Sequence, residues 1–157
     1  MQLYFLRHGL ADWPDWDPAQ DHLRPLTKDG LKKMKAEAKA LARLGLQFDA
    51  ILSSPYTRAV QTADIVAGQL GLEVVEDERL APGFNLERLN EIVTRYPTAQ
   101  ALLLVGHEPT FSSTITALIG GGRLILKKGA LARVEITSFE PLSGELLWLL
   151  PPKTLIG

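Results

Sequence analysis

Cysteine is absent from the 157 residues. That excludes disulfides, a thiolate nucleophile and thiolate-held metal, and it fits a reducing compartment. Long apolar runs are missing as well: the N-terminal stretch is shorter than a signal-peptide core and meets a charge at Arg7, and no later segment is long enough to span a bilayer. The expectation is a cytoplasmic protein with no membrane partner. Neither sign of charge is in excess, since 17 basic and 18 acidic residues leave a formal net charge of -1. With the basic residues scattered, nucleic acid is not an expected partner, and an acidic substrate has to be held locally. There is no internal repeat and no low-complexity tract. The length suits one domain over residues 1–157 with a single core.

What is present is a regular alternation. Gln2 to Leu6, Ala50 to Leu52, Ala101 to Val105, Leu131 to Ile136 and Leu146 to Leu150 are apolar runs that predict strands. Helical patterns lie between them. Lys28 to Leu44 places Leu31, Met34, Ala38 and Leu41 on one stripe between an N-cap at Thr27 and a stop at Gly45. Its lysines make either a solvated face or a basic docking patch. Ser54-Pro55 predicts an N-cap followed by the first residue of a helix that reaches Leu70 and stops at Gly71. Leu86 to Arg95, closed by Pro97, predicts a third helix, and a fourth runs from Pro109 to the glycines at 120–122. Strands alternating with helices predict an α/β fold with a mainly parallel sheet covered on both faces, its last two strands antiparallel at one side. Leu10 to Leu26 and Ala81 to Asn85 are irregular.

Three strand ends carry chemistry. The first strand stops at Arg7-His8-Gly9, which is either a capped strand end with a snorkelling arginine or the edge of a phosphate site. Histidine titrates near neutrality and is nucleophilic, and arginine presents a fork of donors shaped for phosphate. The second strand leads into a segment with Arg58 in the first helical turn, where a cation opposes the helix dipole unless an anion lies between them. The third ends at Gly106-His107-Glu108. Parallel strands put these ends on one edge, so Arg7, His8, Arg58 and His107 can converge. The three histidines lack the spacing of a zinc site, so neither metal nor any other cofactor is expected. His22 is expected in a solvent-facing loop.

These residues resemble the histidine phosphatase superfamily. Its Arg-His-Gly signature is present as Arg7-His8-Gly9, its Ser-Pro-x-x-Arg-Ala-x-Gln-Thr-Ala segment as Ser54 to Ala63, and its later Gly-His as Gly106-His107. The small size and Leu23 to Gly30, with its Arg-Pro-Leu-Thr, are similar to the SixA branch of phosphohistidine phosphatases. The resemblance implies a three-layer α/β/α sandwich of the phosphoglycerate mutase-like fold. It also implies a metal-independent phosphatase in which His8 takes the phosphoryl group and water releases it. Arg7, Arg58 and a protonated His107 would surround the phosphoryl oxygens.

Phosphate esters need an acid to protonate the departing oxygen. In one large branch of the superfamily that acid is a glutamate, and Pro82 stands in its expected place within Glu78 to Asn85. A labile P–N bond has less need of such a group, which makes a phosphohistidine-bearing protein the expected substrate. Glu108 either supplies a proton, as in a small-molecule phosphomonoesterase, or stabilises the start of the fourth helix. Arg24 is either a further phosphate contact or an ion-pair partner of Asp21. Trp13 and Trp16 either dock a protein or fold onto their own loop. A phosphoglycerate mutase is disfavoured by the short chain and the absent glutamate. A non-catalytic module that binds phosphorylated ligands predicts loss of the nucleophile or of an arginine, and both are present.

Overall fold

The computed structural model describes residues 1–157. Strand β1 (Gln2–Arg7) leads through a long loop, with a 3₁₀ turn at Pro18–Leu23, into α1 (Lys28–Arg43). Then follow β2 (Ala50–Ser53), α2 (Thr57–Leu70), β3 (Val74–Glu76), a 3₁₀ turn at Glu78–Leu80, α3 (Leu86–Arg95), β4 (Ala101–Gly106) and α4 (Thr110–Leu118). Strands β5 (Leu131–Phe139) and β6 (Leu142–Leu150) and the short α5 (Pro152–Ile156) complete the chain. No helix is long and apolar enough to cross a membrane.

One six-stranded sheet runs in the order β3-β2-β4-β1-β5-β6. The first four are parallel to their neighbours, while β5 is antiparallel to both β1 and β6. Side chains alternate across a strand, and β1 shows what that does. Leu3 and Phe5 join the core beneath α3 and α4, whereas Tyr4 and Leu6 join the core beneath α1 and α2. Both faces are therefore covered, which gives the three-layer α/β/α arrangement. In α3, Leu89, Ile92 and Val93 are buried, each such side chain stabilising by about 1.5–3 kcal/mol.

The punctuation of α1 follows the sequence: the Thr27 hydroxyl accepts from Gly30 N at 3.0 Å, and Gly45 has a positive φ of 68°. Helix α2 starts later than Ser54-Pro55 predicts. Tyr56 is its N-cap and makes no side-chain cap bond. Ser54 Oγ instead accepts from Tyr56 N at 3.2 Å, turning the chain ahead of the helix. Two elements go beyond the predicted ones. Strand β3 has no buried residue and exists by pairing Val74 and Val75 with Ile51 and Leu52 of β2, and α5 is anchored by its one buried residue, Leu155. Strand β6 begins at Leu142 because the polar stretch Ser143 to Glu145 continues the ladder with β5.

Candidate active site

Parallel pairing decides where the site lies. In the registers, Arg7 stands beside Gly106 and Ser53 beside Val105, so β1, β2 and β4 end together. The signature residues leave these three ends within one pocket edge, as expected for an open α/β sheet. His8 and His107 are both buried, with ring centroids 5.3 Å apart.

Two glycines make this approach possible. A Cβ on Gly9 would lie 2.6 Å from Met34 Cγ, and one on Gly106 would lie 2.6 Å from Phe111 Cζ. Each signature histidine thus has a neighbour at which α1 or α4 packs directly on the backbone. The loop is then pinned from α2: Gly9 N donates to Thr62 Oγ1 at 3.0 Å, and Thr62 donates to the Arg58 carbonyl at 2.8 Å. Gln61 Oε1 accepts from Leu26 N at 2.7 Å and ties down the far end of the Leu10 to Leu26 loop. The Gln-Thr of the motif is therefore a double fastener between helix and loops.

His8 is held in one tautomer. Its Nδ1 lies 2.7 Å from the Gly9 carbonyl, which can only accept, so the proton is on Nδ1 and the lone pair on Nε2. Arg58 Nε donates toward that lone pair at 3.3 Å. Burial, opposed by the Gly9 carbonyl but reinforced by His107, Arg58 and Arg7, pushes the His8 pKa down to about 2. The ring is neutral at physiological pH. A neutral imidazole with a fixed, outward lone pair is the form able to attack phosphorus.

The imidazolium expected at His107 belongs to a site that holds a phosphoryl group, and without an anion the surroundings disfavour that charge. Burial, then the positive charge of Arg58, lowers the His107 pKa to about 3, with Asp21 acting in the opposite direction. It is neutral in this state. Its Nε2 shares a 2.7 Å hydrogen bond with Ser54 Oγ, and its Nδ1 is buried without a partner. Arg7 donates from Nη1 to the Leu126 carbonyl at 3.1 Å, while its Nε is also buried and unpartnered. These are the only two unpartnered buried side-chain nitrogens in the chain. Unpartnered buried polar atoms are rare in proteins, and two of them beside the signature histidines call for a partner.

Arg58 is nearly fully buried and lies 5.1 Å from the centre of the Tyr56 ring, which in turn packs edge-on to His107. Its outer nitrogens reach Asp21: Nη1 donates to the carbonyl at 2.8 Å and Nη2 to Oδ2 at 3.0 Å. Arg24 grips the other carboxylate oxygen, Nε to Oδ1 at 3.0 Å, and also bonds the Ala11 carbonyl from Nη1. Arg24 is thus an ion-pair partner of Asp21, the second of its two expected roles. Sequence reasoning set Asp21 against Arg24 and missed its contact with Arg58, which makes Asp21 a member of the site. Its position 37 residues before Arg58 carries no periodic signal, and only the folding of the loop brings the two together.

Glu108 is held by the first turn of α4. Its Oε1 accepts from Ser112 N at 2.8 Å and its Oε2 from the Ser112 hydroxyl at 2.6 Å, closing the first turn of α4. It still lies near enough for its negative charge to oppose the lowering of the Arg7 pKa by burial. His22 lies 6.3 Å from the Tyr56 ring, on the loop. Both tryptophans of that loop donate within it, Trp13 to the Pro25 carbonyl at 2.8 Å and Trp16 to the Gln20 carbonyl at 3.0 Å. They border an open groove of about 730 Å³ that also includes Asp21 and Arg24. No three His, Asp or Glu side chains form a group able to hold a metal ion.

Comparison with known proteins agrees with this geometry. Residues 3–82 match the model of the histidine phosphatase superfamily, branch 1. An uncharacterized protein of Picosynechococcus sp. is 37% identical over 171 aligned positions, covering 99% of each chain. The 2,3-bisphosphoglycerate-dependent phosphoglycerate mutase of Histophilus somni is 34% identical, but over 51% of this chain and 37% of the mutase. Among solved structures, the protein histidine phosphatase SixA complexed with tungstate superposes with a TM-score of 0.86 at 25% identity, covering 99% of both chains. The family match over residues 3–82, about half of the chain, makes it a member of the histidine phosphatase superfamily, branch 1.

Proposed function

We propose that the protein hydrolyses phosphohistidine on another protein, using His8 as nucleophile. Members of the superfamily are phosphatases or mutases, and the likeness to SixA over the full chain supports the first. The observation that carries the reading is the pairing of a neutral, oriented His8 with two unpartnered buried nitrogens, on Arg7 and His107. The phosphoryl group displaces the Arg58 Nε contact from the His8 lone pair. His8 Nε2 then attacks phosphorus in line, and water releases the phosphate in a second step.

The cations are Arg7 and Arg58 from the start. His107 joins them differently: with the Ser54 hydroxyl donating to Nε2, the proton sits on Nδ1 and is available to a phosphoryl oxygen. The incoming dianion favours protonation of His107 and so strengthens that contact in the transition state. Glu108, engaged by Ser112 through both oxygens, supports a structural role and not that of an acid. With Pro82 in the other expected place, the pocket has no evident proton donor for an alkoxide. That favours a P–N bond, whose imidazole, already protonated on its distal nitrogen by solvent, departs without a further proton from the enzyme.

The test is turnover of a phosphohistidine-bearing protein, p-nitrophenyl phosphate, a sugar phosphate and 3-phosphoglycerate by wild type and His8→Ala. The phosphohistidine protein should have the highest kcat/KM, and the variant should be inactive on all four. Activity of His8→Ala equal to wild type refutes the nucleophile, and a preference for the sugar phosphate or 3-phosphoglycerate refutes the substrate.

A further inference from the structure

A phosphorylated imidazole has two nitrogens, and only one is bonded to phosphorus. When the distal nitrogen carries a proton, the ring is cationic and leaves as neutral imidazole. When it does not, the ring leaves as an anion and the P–N bond is far harder to break. The need is therefore not for an acid but for an anionic acceptor facing the distal N–H.

Asp21 has the properties of that acceptor. Its carboxylate is separated from the His8 lone pair by one residue, Arg58, whose Nε faces His8 and whose Nη2 faces Asp21 Oδ2. In-line attack puts the leaving group opposite His8, and Asp21, one residue removed from His8 through Arg58, borders an open groove that can receive a protein-borne ring. The Arg58 side chain is 6% exposed and that of Asp21 41%, so the carboxylate stands at the mouth. Arg58 and Arg24 hold one contact to each oxygen, which leaves acceptor capacity on both. Desolvation opposes its ionisation, but the hydrogen bonds from Arg24 and Arg58 outweigh it and keep the pKa below the usual carboxylate range.

Resting on the phosphohistidine reading above, we propose that Asp21 determines specificity by accepting the distal ring N–H of the substrate imidazole. The His8 Nε2–P bond forms as the substrate P–N bond breaks. The electron pair of that bond returns to the substrate nitrogen, the distal proton stays where it was, and no proton is transferred. An alkyl ester gains nothing, because it has no distal N–H and an ionised Asp21 cannot protonate its oxygen.

The experiment compares kcat/KM of wild type, Asp21→Asn and Asp21→Glu on a phosphohistidine-bearing protein and on p-nitrophenyl phosphate between pH 6 and 9. Because Asp21 also steadies Arg58, both activities should fall in Asp21→Asn. Loss of a charge-assisted bond predicts that the phosphohistidine activity falls about 10- to 100-fold further than the other. That gap should widen as pH rises and the free ring loses its proton, and Asp21→Glu should recover part of it. Equal losses on both substrates, with parallel pH profiles, overturn the proposal and leave Asp21 as a support for Arg58 alone. If wild type turns over p-nitrophenyl phosphate but not the phosphohistidine protein, the functional reading itself fails and the inference with it.

Discussion

Replacing Glu37 with glutamine should stabilise the protein at neutral pH. Glu37 lies on α1 with 2% of its surface exposed, and its Oε2 has no hydrogen-bond partner. It packs against Gly129, where a Cβ would collide with the carboxylate, and Gly129 N donates to the carbonyls of Arg7 and His8. Burial, only partly offset by Lys33, raises its pKa from 4.5 to about 8. The folded state therefore keeps the proton at pH 7 while the unfolded chain releases it. The raised folded value means that the contribution of Glu37 to stability is full below pH 4.5 and is lost as pH rises toward 8. At pH 7 the loss is about 3 kcal/mol, two and a half pH units at about 1.4 kcal/mol each.

Glutamine keeps the shape and removes the linkage, but its amide brings a buried donor at a cost of about 1 kcal/mol. The net gain at pH 7 is about 2 kcal/mol, a rise in Tm of about 4–8 °C for a chain of this size. At pH 5 the two effects nearly cancel. Thermal and urea unfolding of both proteins at pH 5, 6, 7 and 8 measures the difference directly. Comparing variants matters because His8 and His107, with depressed folded values of about 2 and about 3, remove stability from both proteins as pH falls below the unfolded 6.5. A difference that stays constant from pH 5 to 8 would show that Glu37 is ionised in the folded state and refute the reasoning.

Three other outcomes test the site's supports. Gly106→Ala forces a methyl into Phe111, itself packed edge-on against Phe5 at 5.3 Å and Phe84 at 5.5 Å, so urea unfolding should show a loss of about 1–3 kcal/mol, together with reduced kcat from a displaced His107. Unchanged stability would mean that α4 yields freely. Glu108→Gln should cost about 1 kcal/mol through its weakened hold on Ser112 and the α4 dipole, and should leave the ratio of ester to phosphohistidine turnover unchanged. A selective collapse of ester turnover would restore it as an acid. Thr62→Val removes the bond from Gly9 N and leaves that buried donor unpaired, a loss of about 1–3 kcal/mol by thermal unfolding. A smaller change would show that Met34 alone holds the loop.

The central layer of this fold is legible because buried strands have to be apolar. Leu3 to Leu6 and Leu102 to Val105 are each fully or almost fully buried, so their runs were visible without coordinates. Helix α3 was equally plain, since each turn returns an apolar side chain to the core, Leu89 and then Ile92 and Val93; its cap, Asn85 accepting from Arg88 N at 2.9 Å, was not read in advance. Strand β3 was not, because an edge strand with exposed residues is defined by hydrogen bonds to a neighbour and not by its own pattern. Ser54 misled for a related reason. Its hydroxyl had two uses, capping a helix or meeting His107, and local propensity cannot weigh a partner 53 residues away.

The sequence by itself determined which residues stand at the strand ends, because apolar runs dictate the strands and the motifs follow them directly. It also determined the two glycines without which α1 and α4 could not approach. Tertiary structure alone decided the state of those residues. The charge of His107 depends on how much water the fold excludes, the tautomer of His8 on one carbonyl, and the place of Asp21 on the path of a loop. Ionisation and hydrogen bonding answer to the surroundings in space, and those surroundings are assembled from segments that the chain order keeps apart.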